Sequence, residues 1–247
     1  MKQCVTIQCP VCQHEQEKEI WTKIDAQADP EAKASLLAGE IFNFECEQCG
    51  ARRQIDSDFL YLDHEKHFIV SLIPNLEERK EAMEEILGQF MRQSSQDLTN
   101  YTLRVVRDAP SLVEKVSILD QGLNDIVIEI VKLLTDGIFA KERPEDSVKA
   151  RYFYLHHSER KLLYITDTDS LIVDFHQSLL DFAEDKYKKA INEDTQGRFI
   201  VVDHHWAANL LEKKPGQAVK EYADQQQEKP LTKHQQQRIA KKLKRRK

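Results

Sequence analysis

Glycine is scarce in this chain. Its seven glycines, at positions 39, 50, 88, 122, 137, 197 and 216, include no pair close enough to build a phosphate-cradling loop, so the Walker and dinucleotide fingerprints are absent. Neither a Gly-x-Ser-x-Gly elbow nor a His-Glu-x-x-His pair occurs. Long apolar runs are missing as well. The longest, Ile126 to Leu134, is interrupted by Glu129 and Lys132 and falls short of a membrane span. No apolar stretch follows Met1-Lys2-Gln3-Cys4, so no secretory leader is read there and a cytoplasmic protein is expected. With these classes set aside, the sequence carries no convincing catalytic constellation, and a non-enzymatic role is the expectation.

Cysteine is also rare, five in 247 residues, yet four of the five fall into two short pairs. Cys9-Pro10-Val11-Cys12 and Cys46-Glu47-Gln48-Cys49-Gly50 are separated by 33 residues. Two residues between thiols let a tight turn aim both sulfurs at one ion, and two facing turns supply the four ligands of a structural zinc site. Pro10 fixes φ after Cys9, and Gly50 gives a permissive backbone after Cys49. Val5 and Ile7 precede the first pair and Ile41, Phe42 and Phe44 the second, so both turns are expected at the tips of β-hairpins, as in a zinc ribbon. The rival is a redox dithiol at Cys9 and Cys12. Residues 13 to 25 are polar and then alternating, and no βαβ unit is read after the pair, which argues against it. Four thiolates would close the metal shell and leave no open position for Lewis-acid catalysis. Cys4 is too far along its strand to join the turn, and nothing in the spacing requires His14 as a ligand.

The chain resembles the CpXC family, bacterial and archaeal proteins of uncharacterised function named for a Cys-Pro-x-Cys motif. Beyond the cysteines, the resemblance rests on Ile24 and Asp25, Asp29-Pro30-Glu31, Leu36-Leu37, Gly39-Glu40, Asn43-Phe44, Tyr61, Asp63 and Pro74. It covers the first 75 residues closely and extends more loosely to about residue 140. Asp25 and Leu62 depart from the family pattern, which usually has Asn and His there. The resemblance implies a fold and a metal, and no known activity.

The net charge of −6 conceals a division between body and tail. Lys229 to Lys247 holds nine basic residues and no acidic ones, which leaves 27 cations against 42 carboxylates, or −15, for residues 1 to 228. The first 75 residues hold seven Lys/Arg and thirteen Asp/Glu, and Arg52-Arg53 is their only basic pair. Phosphate contacts depend on clustered cations, so a protein-contact module is expected of the ribbon rather than a nucleic-acid reader. From Lys213 onward Pro, Gln, Lys and Arg dominate, and the segment 213–247 reads as a disordered basic tail. Lys241, Lys242, Lys244, Arg245 and Arg246 could give it non-specific affinity for RNA or DNA, the alternative reading of function.

Fold class is read as α+β: ribbon hairpins with a short inserted helix, then a helical segment and a small α+β unit. Residues 1–140 are expected to form a CpXC-like domain, its ribbon over 1–75, and 147–212 the second unit, packed with the preceding helices. Ile20 to Asp25 reads as one strand, and Asp29 as the N-cap of a helix through Leu36-Leu37 that ends at Gly39. Phe59 to Asp63 and Phe68 to Leu72 read as a hairpin. Asn75-Leu76-Glu77-Glu78 is read as a capping box for a helix to about Gln93, and Ser111 as the cap of another that Gly122 ends. A long helix through Leu134 follows, with a boundary at Gly137 to Asp146, then strands near 151–155, 161–165, 171–175 and 199–203. Asp203-His204-His205 resembles the motif of the DHH phosphoesterases, with Asp167 and Asp169 as a second carboxylate pair, which makes a metal-dependent phosphoesterase a third reading. The plain reading makes Asp203 an N-cap and His156-His157 a hairpin turn.

Overall fold

The computed structural model describes residues 1–191 and 195–211. β1 (Lys2–Gln8) and β2 (Glu15–Trp21) form an antiparallel hairpin in which Gln8 faces Glu15 across the turn. β3 (Lys23–Asp25) leads into α1 (Pro30–Leu37), and β4 (Asn43–Glu45) and β5 (Arg52–Gln54) make a second hairpin. β6 (Phe59–Asp63), β7 (Phe68–Leu72), α2 (Leu76–Gln93), β8 (Thr102–Val106) and α3 (Ala109–Asp120) follow. α4 (Asp125–Glu142) then precedes the meander β9 (Val148–His156), β10 (Glu159–Thr166) and β11 (Ser170–Asp174). α5 (Gln177–Lys186), α6 (Lys188–Ile191) and α7 (His204–Leu211) complete an α+β fold.

A mixed sheet in the order β3-β6-β7-β8 is the centre of the N-terminal part, with β3 parallel to β6, β6 antiparallel to β7, and β7 parallel to β8. Successive side chains on a strand point to opposite faces, so each strand feeds two cores. Phe59, Tyr61, Phe68, Val70 and Leu72 pack with Ala32 and Leu36 of α1 and with Leu112 and Val116 of α3. Leu62, Ile69 and Leu103 join Leu98 and Tyr101 on the opposite face, against Phe90 and Met91 of α2. Each fully buried Leu, Ile or Phe contributes about 1.5–3 kcal/mol. Asp63, 1% exposed, anchors the sheet's end: it accepts from Gln27 Nε2 (2.8 Å) and the Lys66 amide (3.0 Å) and pairs with Lys33. Lys33 also reaches Asp120 at the end of α3, which clamps α1, sheet and α3 together.

α4 is buried nearly all round, from Asp125 through Phe139, as a helix without a solvated face must be. Ile126, Ile130, Val131, Leu133, Leu134 and Phe139 pack with Phe153, Leu162 and Tyr164 of the meander and with Leu179, Leu180 and Phe182 of α5.

Local departures from expectation have physical causes. Ile20 to Asp25 is two strands: β2 stops at Trp21 in its hairpin, and β3 pairs with β6 instead. β3 and β6 are thus joined by a parallel crossover containing α1 and the second hairpin, an arrangement the sequence reading had missed. Asp29 is the N-cap residue of α1 and Pro30 its first helical residue, as read, but the Asp29 side chain makes no cap hydrogen bond: its carboxylate accepts from the Asp25 amide (3.4 Å) instead. Asn75 sits in the left-handed region at φ 54° and makes no side-chain cap. α3 is capped by Asp108, which accepts from the Ser111 amide at 2.8 Å, and Ala109-Pro110 open its first turn. Gly137 does not end α4, which is held by packing on every side and runs to Glu142. α5 ends at Lys186, and Tyr187 separates it from α6. Residues 199–203 form no strand; they touch β8 through one bridge, Arg104 to Ile200.

Candidate metal centre

Two backbone turns of the same design carry the four thiols. In the first, the Cys9 amide donates to the His14 carbonyl (2.8 Å) and the Gln13 amide to the Cys9 carbonyl (2.9 Å). In the second, the Cys46 amide donates to Ala51 (2.9 Å) and the Gly50 amide to Cys46 (2.8 Å). The fifth residue of each turn lies at positive φ, 62° at Gln13 and 69° at Gly50. Glycine takes that conformation freely, and Gln13 takes it at a cost.

The turns face one another. Cys9 Sγ lies 3.6 Å from Cys49 Sγ, Cys12 Sγ lies 3.6 Å from Cys46 Sγ, and all four sulfurs are within 4.8 Å of each other. A disulfide needs about 2.05 Å, so all four remain thiols. Four sulfurs tetrahedral about an ion at 2.3 Å stand about 3.8 Å apart, which the spacing here fits. Cys9 and Cys46 are buried with Ile7 and Phe44 in a small apolar cluster between the hairpins, while Cys12 and Cys49 lie further out.

The thiols compete for charge. The Cys12 amide, aided by that of Val11, pulls the Cys9 thiol down to about 6 against the effect of burial. The Ala51 amide favours the Cys49 thiolate, yet the Cys12 thiol, burial and the other two sulfurs push Cys49 up to about 12. One cation at the centre would relieve that repulsion and hold all four as thiolates.

Sequence reasoning missed Gln16. Buried beneath the turns, its Nε2 donates to the Glu45 carbonyl (3.3 Å) and its Oε1 accepts from the Glu47 amide (3.0 Å), so one side chain on β2 stitches the first hairpin to the second knuckle. Gln16→Ala would leave both groups without a partner, and a loss of about 1–3 kcal/mol is expected in thermal denaturation, with faster metal loss to a chelator. Unaltered metal retention would mean that the sulfurs alone set the spacing of the hairpins. Gln16 stands among Glu15, Glu17, Lys18 and Glu19, so the sequence carries no signal that marks it for this role.

The other candidates do not converge. Among the described residues the four cysteines are the one group of three or more His, Cys, Asp or Glu placed to hold a metal. Asp203 accepts from the Trp206 amide (2.9 Å) at the start of α7 and pairs with Arg107, as the plain reading expected. Asp167 accepts from the Ser147 amide, and His156-His157 form the β9–β10 turn, His157 at φ 48°. Cys4 is exposed on β1, away from the tetrad. The redox alternative fails on placement: Cys9 and Cys12 lie in a hairpin turn, not at a helix N-terminus. Lys241, Lys242, Lys244, Arg245 and Arg246, with the tail 213–247, lie outside the described residues.

Fold and site together define a class: an α+β protein whose four clustered thiols can hold one metal ion. A family model described as CpXC protein matches residues 7–132, just over half of the 247-residue chain, and the chain belongs to that family. No curated protein and no solved structure matches it. No helix among the described residues is long and apolar enough to cross a membrane.

Proposed function

We propose that Cys9, Cys12, Cys46 and Cys49 hold a structural Zn²⁺, in the manner of a zinc ribbon, and that the protein works by macromolecular contact, with a protein as partner. The sulfur spacing carries the first half of this reading, because four thiolates complete the shell that zinc prefers and leave no site for substrate. The surface of the hairpins supports the second. Val11, at the tip of the first knuckle, is 71% exposed, and Glu15, Glu17 and Glu19 line the outer side of β2. An apolar tip beside an acidic strand suits a partner with a greasy socket and a basic rim, and disfavours a phosphate backbone.

The experiment is a native purification without chelators, in which metals are quantified and co-purified macromolecules identified with and without nuclease. One zinc per chain and a nuclease-resistant protein partner, lost on Val11→Asp, are expected. A metal-free chain, or a partner that disappears with nuclease, would refute the proposal.

A further inference from the structure

α3, α4, β9 and the segment leading into α7 enclose a polar cavity of 280 Å³, remote in sequence from the cysteine pairs. Its floor is charged and buried. Glu114, Lys115, Glu129 and Lys132 are each 5% exposed or less. Lys132 Nζ donates to Glu114 (2.9 Å) and Glu129 (3.0 Å), and Lys115 Nζ donates to the Val202 carbonyl (2.9 Å) and to Glu129 (3.4 Å). Both lysines use the same Glu129 oxygen, Oε1. Glu129 Oε2 is buried with no hydrogen-bond partner among the described residues. A buried carboxylate oxygen without a donor is costly, and no group among the described residues supplies one.

Two cations at the wall are also underused. Lys149 and Arg151, two residues apart on β9, lie on one side of the strand and both line the cavity. Arg151 Nε lies 3.0 Å from Asp136 Oδ1 as an ion pair but is buried without a hydrogen-bond partner, and no partner among the described residues engages the rest of its fork. Among the described residues the Lys149 ammonium has only the Ser147 hydroxyl, at 3.3 Å. Arg107, across the opening, is by contrast taken up by Glu77 and Asp203. Five cationic and four carboxylate side chains line the cavity, an excess of one positive charge. His204 adds none near neutrality, since burial and Arg151 drive its imidazole down to about 4.

We infer that this cavity binds a small hydroxylated oxyanion, its charged oxygens on Arg151 and Lys149 and its hydroxyl donating to Glu129. The guanidinium fork suits a phosphate or carboxylate, and the buried carboxylate demands a donor on the same molecule. At about 30 Å³ per water, the volume equals roughly nine waters, which admits a phosphate on a two- or three-carbon body and excludes a nucleotide.

Glycerol 3-phosphate and inorganic phosphate serve as probes, titrated calorimetrically into the full chain at low salt. Wild type is expected to bind glycerol 3-phosphate about tenfold more tightly than phosphate, the difference belonging to the hydroxyl. Glu129→Gln should abolish that preference, and Arg151→Gln should weaken both probes about tenfold. Lys149→Gln, at an exposed side chain with one surface hydrogen bond, should weaken both several-fold, and it carries the test if Arg151→Gln fails to fold. Wild type that binds neither probe at millimolar concentration, or Lys149→Gln that binds both like wild type, would overturn the assignment. The metal centre is untouched by these changes, so its proposed role stands or falls separately.

Discussion

Cys46→Ser is expected to release the metal proposed for the cysteine tetrad and melt both N-terminal hairpins while the sheet of β3, β6, β7 and β8 stays folded. The hairpins have little else to hold them together: the apolar cluster between them has Ile7, Cys9, Phe44 and Cys46 as its buried members, with the Gln16 stitch beside it, too few side chains for an independent core. Apparent metal-binding energies of about 10–16 kcal/mol in zinc-finger peptides show how much of such a unit's order the ion supplies. Cys9→Ser should behave alike, since Cys9 is 0% and Cys46 1% exposed and both lie inside the cluster. Cys49→Ser, on the exposed side, should weaken metal retention with less disorder. Metal stoichiometry measured together with amide exchange over residues 2–21 and 43–54 separates these outcomes. Full metal content and intact protection in Cys46→Ser would show that packing, not the ion, holds the hairpins.

Arg104→Met should be the most damaging change outside the cysteines, at about 3–5 kcal/mol. Arg104 is 2% exposed on β8 and grips Asp125 of α4 with two nitrogens, Nε at 2.8 Å and Nη2 at 3.0 Å. Lys115 adds a third contact at 3.1 Å. Methionine would keep the volume and leave the Asp125 carboxylate short of its chief partner in a dry interior. Asp125→Asn in the same chain should restore part of the loss, because it removes the uncompensated charge. The pH dependence follows from the same contacts. Burial alone would raise the Asp125 carboxyl, but Lys115 and Arg104 hold it down at about 2. Its folded value is therefore below the unfolded value of about 3.9, so the stability it contributes is complete above that value and disappears as the pH falls toward 2. Arg104→Met should move the acid-unfolding midpoint upward. Equal acid midpoints, with less than about 1 kcal/mol lost in denaturant at neutral pH, would mean that Lys115 satisfies Asp125 unaided.

The clustering of the four cysteines was legible because its chemistry is local. Two residues between thiols fix how a turn can point its sulfurs, and few other cysteines compete for the assignment. Strands and helices with clean periodicity, such as Phe59–Asp63, Leu76–Gln93 and the core of α4, were legible for a similar reason. Caps were legible in position more than in bonding. Asp29 and Asn75 stand at the N-caps of α1 and α2 as read, yet neither side chain caps its helix; Asp203 does cap α7, and α3 is capped by Asp108 rather than Ser111. Gly137 read as a break because propensity punishes glycine mid-helix, whereas burial on every side of α4 overrides that modest penalty. Arg104, Glu114, Lys115, Asp125, Glu129 and Lys132 were least visible. In one dimension they look like solvated charge, and their pairing depends on a sheet, two helices and a loop meeting in the interior.

α4 has no outside. Its one side completes the network reached from β8 and α3, and its remaining sides fill the space beneath the meander, α5 and α7. β8 and α3 on one side, and the meander, α5 and α7 on the other, therefore share a single rod in place of meeting across a seam. Withdrawing that rod would flood both sides at once, so these elements should come apart together, whereas the two N-terminal hairpins can open on their own.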